Sequence, residues 1–266
     1  MTWWQAVILG LLQGLTEFLP VSSSGHLVLA QHALGIQLTP DVTFEVLLHT
    51  GTALSIMTVY RHRLLTMVTD TVRTLLHPQE AYHANTNVRT AWLVVIASIP
   101  AGMAYVSLDV QLEWTYARPW FACIMLIVTG VLLGFTMLAR SQGAPVTLWK
   151  SLFMGVAQAV SLLPGMSRSG ATISTGLLFG IKPETAADFS FIMVLPAILG
   201  ATLVKGISLI QSPEAVDWLP MLLGTVIAYG AGIFAIRVVL GFVRRGRLHT
   251  FAVYCVGVGV LGLILL

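Results

Sequence analysis

The stretch EFLPVSSSGH, Glu17 to His26, interrupts an apolar segment that runs from about residue 3 to residue 36. A proline ends a helix because it has no amide hydrogen, and a serine that follows can cap the next helix. A second stretch, LPGMSRSGAT at residues 163–172, has the same character in a similar apolar setting. Non-helical backbone inside a membrane must be buried in protein or line a wet cavity. We therefore predict two re-entrant helical hairpins, over about 3–36 and 148–181.

The composition of the chain is that of an integral membrane protein. Of its 266 residues, 56% are hydrophobic and 9% are charged, and the mean hydropathy is +0.86. Other apolar stretches are long enough to cross a bilayer as helices, and they lack the alternation of a membrane β-barrel. They are residues 42–62, 88–108, 118–140, 184–210, 217–243 and 248–266. We predict an all-α membrane protein with about six transmembrane helices, forming a single membrane domain over residues 1–266.

The basic residues cluster beside the apolar spans, so the formal charge of +3 indicates orientation in the bilayer and not a nucleic-acid partner. By the positive-inside rule, the following side chains are cytoplasmic: Arg61, Arg63, Arg73, Arg89, Arg140, Lys150, Lys182, Arg244, Arg245 and Arg247. The loop at 109–117, with Asp109 and Glu113, then lies outside, as do both termini. The segment from Arg63 to His77 is expected on the cytoplasmic surface. Under this topology the first hairpin enters from outside and the second from the cytoplasm.

The two halves of the chain resemble each other at an offset of 145 residues. Gly10, Gln13, Ser24 and Gly25 recur as Gly155, Gln158, Ser169 and Gly170. Together with the opposite entry of the hairpins, this predicts an inverted-topology repeat, over about 3–62 and 148–210. The two broken tips are then expected to meet near the middle of the membrane.

Such a meeting would place many polar side chains in one site: Glu17, Ser22, Ser23, Ser24, His26, Ser167, Arg168, Ser169 and Thr172. A charge at mid-membrane is costly, so Glu17 and Arg168 are expected to serve a polar site. Helix N-termini direct N–H groups toward anions, and the planar guanidinium of Arg168 suits phosphate. Close packing by serine and glycine, or a structural ion pair, explains single residues but not the whole set. His32 and His49 are interpreted as polar groups satisfied within their helices.

At these two stretches the chain closely resembles the undecaprenyl-diphosphate phosphatase family, also known for bacitracin resistance. The first motif, QGLTEFLPVSSSGH, contributes Gln13, Glu17, Ser23 and His26; the second contributes Pro164, Gly165, Ser167, Arg168, Ser169 and Thr172. The resemblance extends over essentially the whole chain. Gln13 stands where some members carry a second glutamate, which weakens the case for a metal held by two carboxylates.

The resemblance implies hydrolysis of the lipid undecaprenyl diphosphate at the outer side of the bacterial inner membrane, facing the periplasm or cell exterior. It also implies a divalent cation, Mg²⁺ or Ca²⁺, held in part by Glu17, with Gln13 as a further candidate ligand. Hard oxygen ligands suit these ions. Gly165 and the serine and threonine positions of both motifs are expected to bind the diphosphate, with Arg168 clamping it. The chain is compatible with a homodimer through its membrane spans.

Two assignments of the nucleophile stay open. Ser23 can attack phosphorus with His26 as its base or as the acid for the leaving group, since residues three apart share a helix face. Alternatively, His26 is itself the nucleophile. Glu17 could transfer a proton instead of binding metal. A transporter of prenyl-phosphate lipid is the alternative function, because inverted repeats with broken helices are typical of secondary transporters.

Overall fold

The computed structural model of the chain describes residues 1–36, 43–76, 85–107, 114–139, 143–211 and 217–266. Within these ranges the protein is built from α-helices and contains no β-strand, only an isolated bridge between Ala144 and Ile181. The helices are α1 Trp3–Phe18, α2 Ser23–Ala33, α3 Thr43–Val59, α4 Arg61–Leu76, α5 Thr86–Ser107, α6 Pro119–Phe135, α7 Leu148–Val160, α8 Arg168–Leu178, α9 Pro183–Met193, α10 Leu195–Gln211, α11 Trp218–Arg244 and α12 Thr250–Leu265.

Among the described residues, four helical segments are long and apolar enough to cross a membrane: Thr86–Ser107, Pro119–Leu138, Pro183–Leu209 and Trp218–Arg244. They correspond to four of the predicted spans. The other two predicted spans, 42–62 and 248–266, contain α3 and α12, which are shorter helices of 17 and 16 residues. The predicted class, an all-α membrane protein, is confirmed.

Each predicted hairpin is a pair of helices separated by a short break, α1 with α2 and α7 with α8. The break before α2 ends at Ser22, whose hydroxyl accepts a hydrogen bond from the backbone N–H of Gly25 at 3.2 Å. At an offset of 145 residues, the hydroxyl of Ser167 accepts the same bond from Gly170 at 3.0 Å. The serine in each break therefore caps the helix that follows, as the sequence pattern suggests.

The two hairpins enter the helix bundle from opposite ends. Gly10 and Gly14 of α1 pack on Gly224 and Ala228 of α11, in ascending order, so α1 and α11 run parallel and begin at the same end. A Cβ atom on Gly10 would lie only 2.5 Å from the carbonyl oxygen of Gly224, which shows how closely these helices approach. In contrast, α7 begins beside the start of α5, where the Arg89 guanidinium lies 3.5 Å from the carbonyl oxygen of Val146.

The end of the bundle where α5 and α7 begin is rich in basic residues. Arg63, in the first turn of α4, donates to Asp188 of α9 at 2.7 Å, and Tyr60 donates to the same carboxylate. Asn87 and Asn85, around the start of α5, donate to Asp70 of α4 and lower the pKa of its carboxyl group. Helix α11 runs parallel to α3 and ends here at Arg244. Three residues used to predict the topology, Arg140, Asp109 and Glu113, lie outside the described residues, as does His77.

The exposed apolar side chains of α4 form a stripe along one side of the helix: Leu65, Val68, Val72 and Leu75. Met67, on an adjacent side, is buried in the bundle. Arg61, His62 and Arg73 are exposed. An apolar stripe beside exposed basic residues is typical of a helix that lies in a membrane interface.

Gly165 allows the closest approach within the second break. Its φ is +93°, and a Cβ atom there would overlap the carbonyl oxygen of Ala122 in α6. We expect Gly165→Ala to lower the free energy of unfolding by about 2–4 kcal/mol, because it adds both backbone strain and overpacking. Thermal unfolding of the purified protein in detergent measures this.

Gly257→Ala is the matched control for that substitution. Gly257 lies inside α12 with open space where a Cβ atom would be. Alanine is favoured over glycine in a helix by about 1 kcal/mol, so this variant should be as stable as the wild type or more stable. An unchanged Tm for Gly165→Ala would show that the break is less tightly packed than described.

Candidate active site

The two breaks lie directly against each other. A Cβ atom on Gly25 would lie 2.9 Å from the Cα atom of Gly165, so the first turn of α2 touches the second break. The Ser169 hydroxyl donates to the backbone carbonyl of Leu19, in the first break, at 3.1 Å. Phe18 packs against Gly232, about halfway along α11. The contact between the breaks therefore lies near the middle of a helix that is long enough to cross the membrane.

Glu17 is the centre of the polar contacts between the hairpins. Its side chain is buried, and its Oε1 atom pairs with the Arg168 guanidinium at the first turn of α8. Its Oε2 atom accepts hydrogen bonds from the Ser23 hydroxyl at 2.6 Å and from the Gln13 amide at 3.0 Å. Glu17 thus pairs with the Arg168 guanidinium of the second hairpin and with the Ser23 hydroxyl of the first. A buried charge that is paired and hydrogen-bonded in this way is stable at this depth.

Gln13 extends this network to α3. Its amide nitrogen lies 2.9 Å from Nδ1 of His49, and His49 Nδ1 lies 3.6 Å from Glu17. In the described part of the chain, no group hydrogen-bonds to Oε1 of Gln13, although the atom is buried. The site therefore offers a carboxylate, a hydroxyl and a free amide oxygen. The described residues contain no group of three or more His, Cys, Asp or Glu side chains that could hold a metal ion, so Mg²⁺ or Ca²⁺ at these oxygens would need phosphate oxygens of a substrate to complete its coordination.

His26 does not contact Ser23 through a hydrogen bond. Its Nδ1 lies 2.8 Å from the carbonyl oxygen of Ser22, and its Nε2 lies 2.8 Å from the hydroxyl of Tyr254 in α12. Because a carbonyl only accepts, Nδ1 carries the ring proton and Nε2 accepts from the tyrosine. Ser23 is therefore hydrogen-bonded to Glu17 and not to His26. The spacing of Ser23 and His26 along the helix had favoured His26 as the base.

The other predicted residues line the same contact. Ser24 lies 3.3 Å from Ser22, and Ser169 lies 3.3 Å from Ser167, in each case oxygen to oxygen. Thr172 is completely buried, and its hydroxyl lies 2.6 Å from the hydroxyl of Ser190 in α9. The predicted site residues thus lie on the two breaks, in the second half of α1 (Gln13 and Glu17) and in the first two turns of α2 and α8.

A small cavity opens beside the Glu17–Arg168 pair. Polar and apolar side chains share its wall: Glu17, Arg168, Ser169, Ser190, Phe18, Phe191 and Val194. Phe18 and Phe191 pack edge to face, with ring centroids 5.5 Å apart. Its volume of about 10 Å³ is enough for about one water molecule.

Several residues at the site were not predicted from the sequence. His49 was interpreted as a polar group satisfied within its own helix, yet it contacts Gln13. Tyr254 binds His26 from the far end of the chain, and Thr129 of α6 contacts the second break. The Thr129 hydroxyl donates to the carbonyl of Gly165 and accepts from the N–H of Ser167, both at 3.0 Å. The one sequence signal for these residues is that each is a polar side chain within an apolar stretch.

The fold and the site define a helical membrane protein that holds a buried arginine, a carboxylate and several hydroxyls at the junction of two broken helix pairs. Arginine and helix N-termini at such a junction suit an anionic phosphate group. The family described as "Bacitracin resistance protein BacA" matches residues 6–261. The chain belongs to this family.

Curated relatives are similar over their whole length. A protein of Salinibacter ruber named undecaprenyl-diphosphatase is 47% identical over 270 residues, covering 100% of both chains. Proteins with the same name from Syntrophotalea carbinolica and Methanobrevibacter smithii are 42% and 38% identical; they cover 96% and 97% of this chain, and 95% of each relative is matched.

Proposed function

We propose that this protein is a membrane phosphatase that hydrolyses undecaprenyl diphosphate to undecaprenyl phosphate and inorganic phosphate. The observation that carries the proposal is the buried contact of Arg168 and Ser23 with one carboxylate, Glu17. The family and the names of its relatives supply the substrate. The product is the lipid carrier used for envelope polymers, and its recycling accounts for the association with bacitracin resistance.

Substrate binding is expected to rearrange the pair formed by Arg168 and Glu17. The terminal phosphate, bearing negative charge, competes with Glu17 for the guanidinium, and the N-termini of α2 and α8 add backbone donors. Once Arg168 turns to the phosphate, Glu17 loses its neutralising partner and becomes a better proton acceptor. Glu17 is already hydrogen-bonded to the Ser23 hydroxyl at 2.6 Å. The arrival of substrate would thus activate the nucleophile.

In the proposed reaction the Ser23 oxygen attacks the terminal phosphorus while its proton passes to Glu17. The bond from that phosphorus to the bridging oxygen breaks, and undecaprenyl phosphate leaves. Water then hydrolyses the phosphoserine and restores Ser23. Arg168 stabilises the charge on the transferring phosphoryl group. A divalent cation held by the amide oxygen of Gln13 would supply further positive charge against the diphosphate when bound, which leaves Glu17 free to take the serine proton.

His26 is the competing nucleophile. In the structure its Nε2 accepts a hydrogen bond from Tyr254, so this lone pair is not free to attack until Tyr254 moves away. The Ser23 hydroxyl, in contrast, already lies against a carboxylate. We therefore favour Ser23 and assign His26 to substrate binding or, if Nε2 becomes protonated and separates from Tyr254, to protonation of the leaving group.

We propose that the protein lies in the bacterial inner membrane with its site open to the periplasm or cell exterior. The basic end of the bundle is cytoplasmic by the positive-inside rule. The hairpin that carries Glu17, Ser23 and His26 enters from the other end, as the packing of α1 along α11 indicates. Because Glu17, Ser23 and Arg168 come from one chain, a homodimer would add no residue to this set.

The direct test is phosphate release from farnesyl or undecaprenyl diphosphate by the purified protein in detergent. We expect release with Mg²⁺ or Ca²⁺ and a loss of activity with EDTA that either cation restores. Phosphate release that continues unchanged in EDTA would show that the reaction does not need a divalent cation. Folded protein that binds the lipid but releases no phosphate would favour lipid transport, for which the opposed hairpins are also suited.

A further inference from the structure

The role of His49 follows from the hydrogen bonds of Gln13. Glu17 is a carboxylate and only accepts hydrogen bonds here, so Gln13 must turn its nitrogen toward Glu17. The same nitrogen lies 2.9 Å from His49 Nδ1, which must then accept the second amide hydrogen. Both hydrogens of the Gln13 amide are thereby used. A flipped amide would place its oxygen against the carboxylate and lose the hydrogen bond to Glu17.

This arrangement decides where the oxygen of Gln13 is. With the nitrogen held by two acceptors, Oε1 is fixed as a buried acceptor with no hydrogen-bond partner in the described part of the chain. A buried acceptor without a partner is costly, about 1–3 kcal/mol. A hard cation that coordinates this oxygen would remove the cost.

The second half of the chain shows the same glutamine without these partners. Gln158 occupies the position of Gln13 at the offset of 145 residues, and Leu162 and Val194 stand where Glu17 and His49 would be. Gln158 is also buried, and neither its nitrogen nor its oxygen has a hydrogen-bond partner in the described residues. Burial alone therefore does not orient a glutamine at this position; Glu17 and His49 do so in the first half.

We infer that His49 is a positioning residue, whose Nδ1 lone pair fixes the Gln13 amide so that its oxygen serves as a ligand for the divalent cation. The inference rests on the proposed function only in expecting a cation at this site. His49 acts through Gln13 and does not itself touch the substrate. Residues that orient a metal ligand typically change metal affinity by about 10- to 100-fold when they are replaced.

The test is Ca²⁺ binding to the purified full-length protein in detergent, measured by calorimetry in the presence of a non-hydrolysable prenyl methylenediphosphonate that supplies the phosphate oxygens. We expect His49→Leu to weaken the Kd for Ca²⁺ by about tenfold or more. His49→Asn should stay within about threefold of wild type, since Asn places its Oδ1 where histidine has Nδ1 and so keeps an acceptor. His62→Leu, on the exposed side of α4, is the matched control and should bind as wild type.

The double variant of Gln13 and His49 shows whether His49 affects Ca²⁺ binding only by positioning Gln13 or also by a contribution of its own. If His49 acts only through Gln13, the pair Gln13→Leu and His49→Leu should bind Ca²⁺ no more weakly than Gln13→Leu alone. Additive losses, unchanged affinity in His49→Leu, failure of His49→Asn to recover binding, or absence of Ca²⁺ binding by wild type would each overturn the inference. Ca²⁺ binding by a wild type that releases no phosphate would reject the proposed function and leave the role of His49 standing.

Discussion

Arg168→Ala is expected to lower kcat/KM for prenyl diphosphate hydrolysis by about 10³-fold or more, as for other arginines that stabilise a transferring phosphoryl group. The guanidinium is the cation that the structure places against Glu17 at the tip of the second hairpin. Arg168→Lys keeps the charge but loses the planar pair of donors, so it should recover only part of the activity. Phosphate release measured over a range of substrate concentrations gives kcat and KM for each variant.

The same substitution is expected to destabilise the fold, which has to be separated from catalysis. Removing one partner of a buried ion pair costs about 3–5 kcal/mol, because the remaining charge has no compensation. Replacing both partners by apolar residues is often neutral. We therefore expect the double variant Glu17→Leu, Arg168→Leu to unfold at a higher temperature than Arg168→Leu while remaining inactive. Full activity in either variant with leucine or alanine at position 168 would contradict the role of Arg168.

The helix breaks were predictable because their signal is local. Pro20 and Pro164 each stand a few residues before a serine that caps the next helix, and capping depends on a contact over three residues. The expectation that Glu17 and Arg168 lie together required one further step, the offset between the halves. In the structure the two side chains form an ion pair.

The remaining features depend on packing between distant elements, which no short pattern encodes. Gln13 and His49 are 36 residues apart, and His26 and Tyr254 are 228 residues apart. Their contacts are determined by how α1 packs beside α3 and how α12 approaches α2. Helix spacing suggested that Ser23 and His26 work together, since residues three apart share a face. The backbone carbonyl of Ser22 at the break instead engages the His26 ring, and Glu17 from the preceding helix reaches Ser23.

Ser23→Ala is expected to abolish turnover, with a loss of about 10³-fold or more, because it removes the proposed nucleophile. The hydroxyl donates to Glu17 and is almost fully buried, so the substitution also frees one acceptor position on that carboxylate. Ser208→Ala, on the exposed side of α10, is the matched control and should keep wild-type activity. His26→Ala should retain measurable turnover if it protonates the leaving group, since general acid catalysis contributes about 10²- to 10⁴-fold.

The chemistry of a trapped intermediate distinguishes the two nucleophiles more directly than rates do. A phosphoserine is stable in acid, whereas a phosphohistidine is hydrolysed there. Rapid quenching with acid after mixing with substrate labelled in its terminal phosphate should therefore leave label on the wild-type protein and on His26→Ala, but not on Ser23→Ala. Label that survives only an alkaline quench and disappears in His26→Ala would make His26 the nucleophile. The hydrogen bond from Tyr254 to Nε2 would then have to open in each catalytic cycle, and Tyr254→Phe would be expected to accelerate phosphorylation.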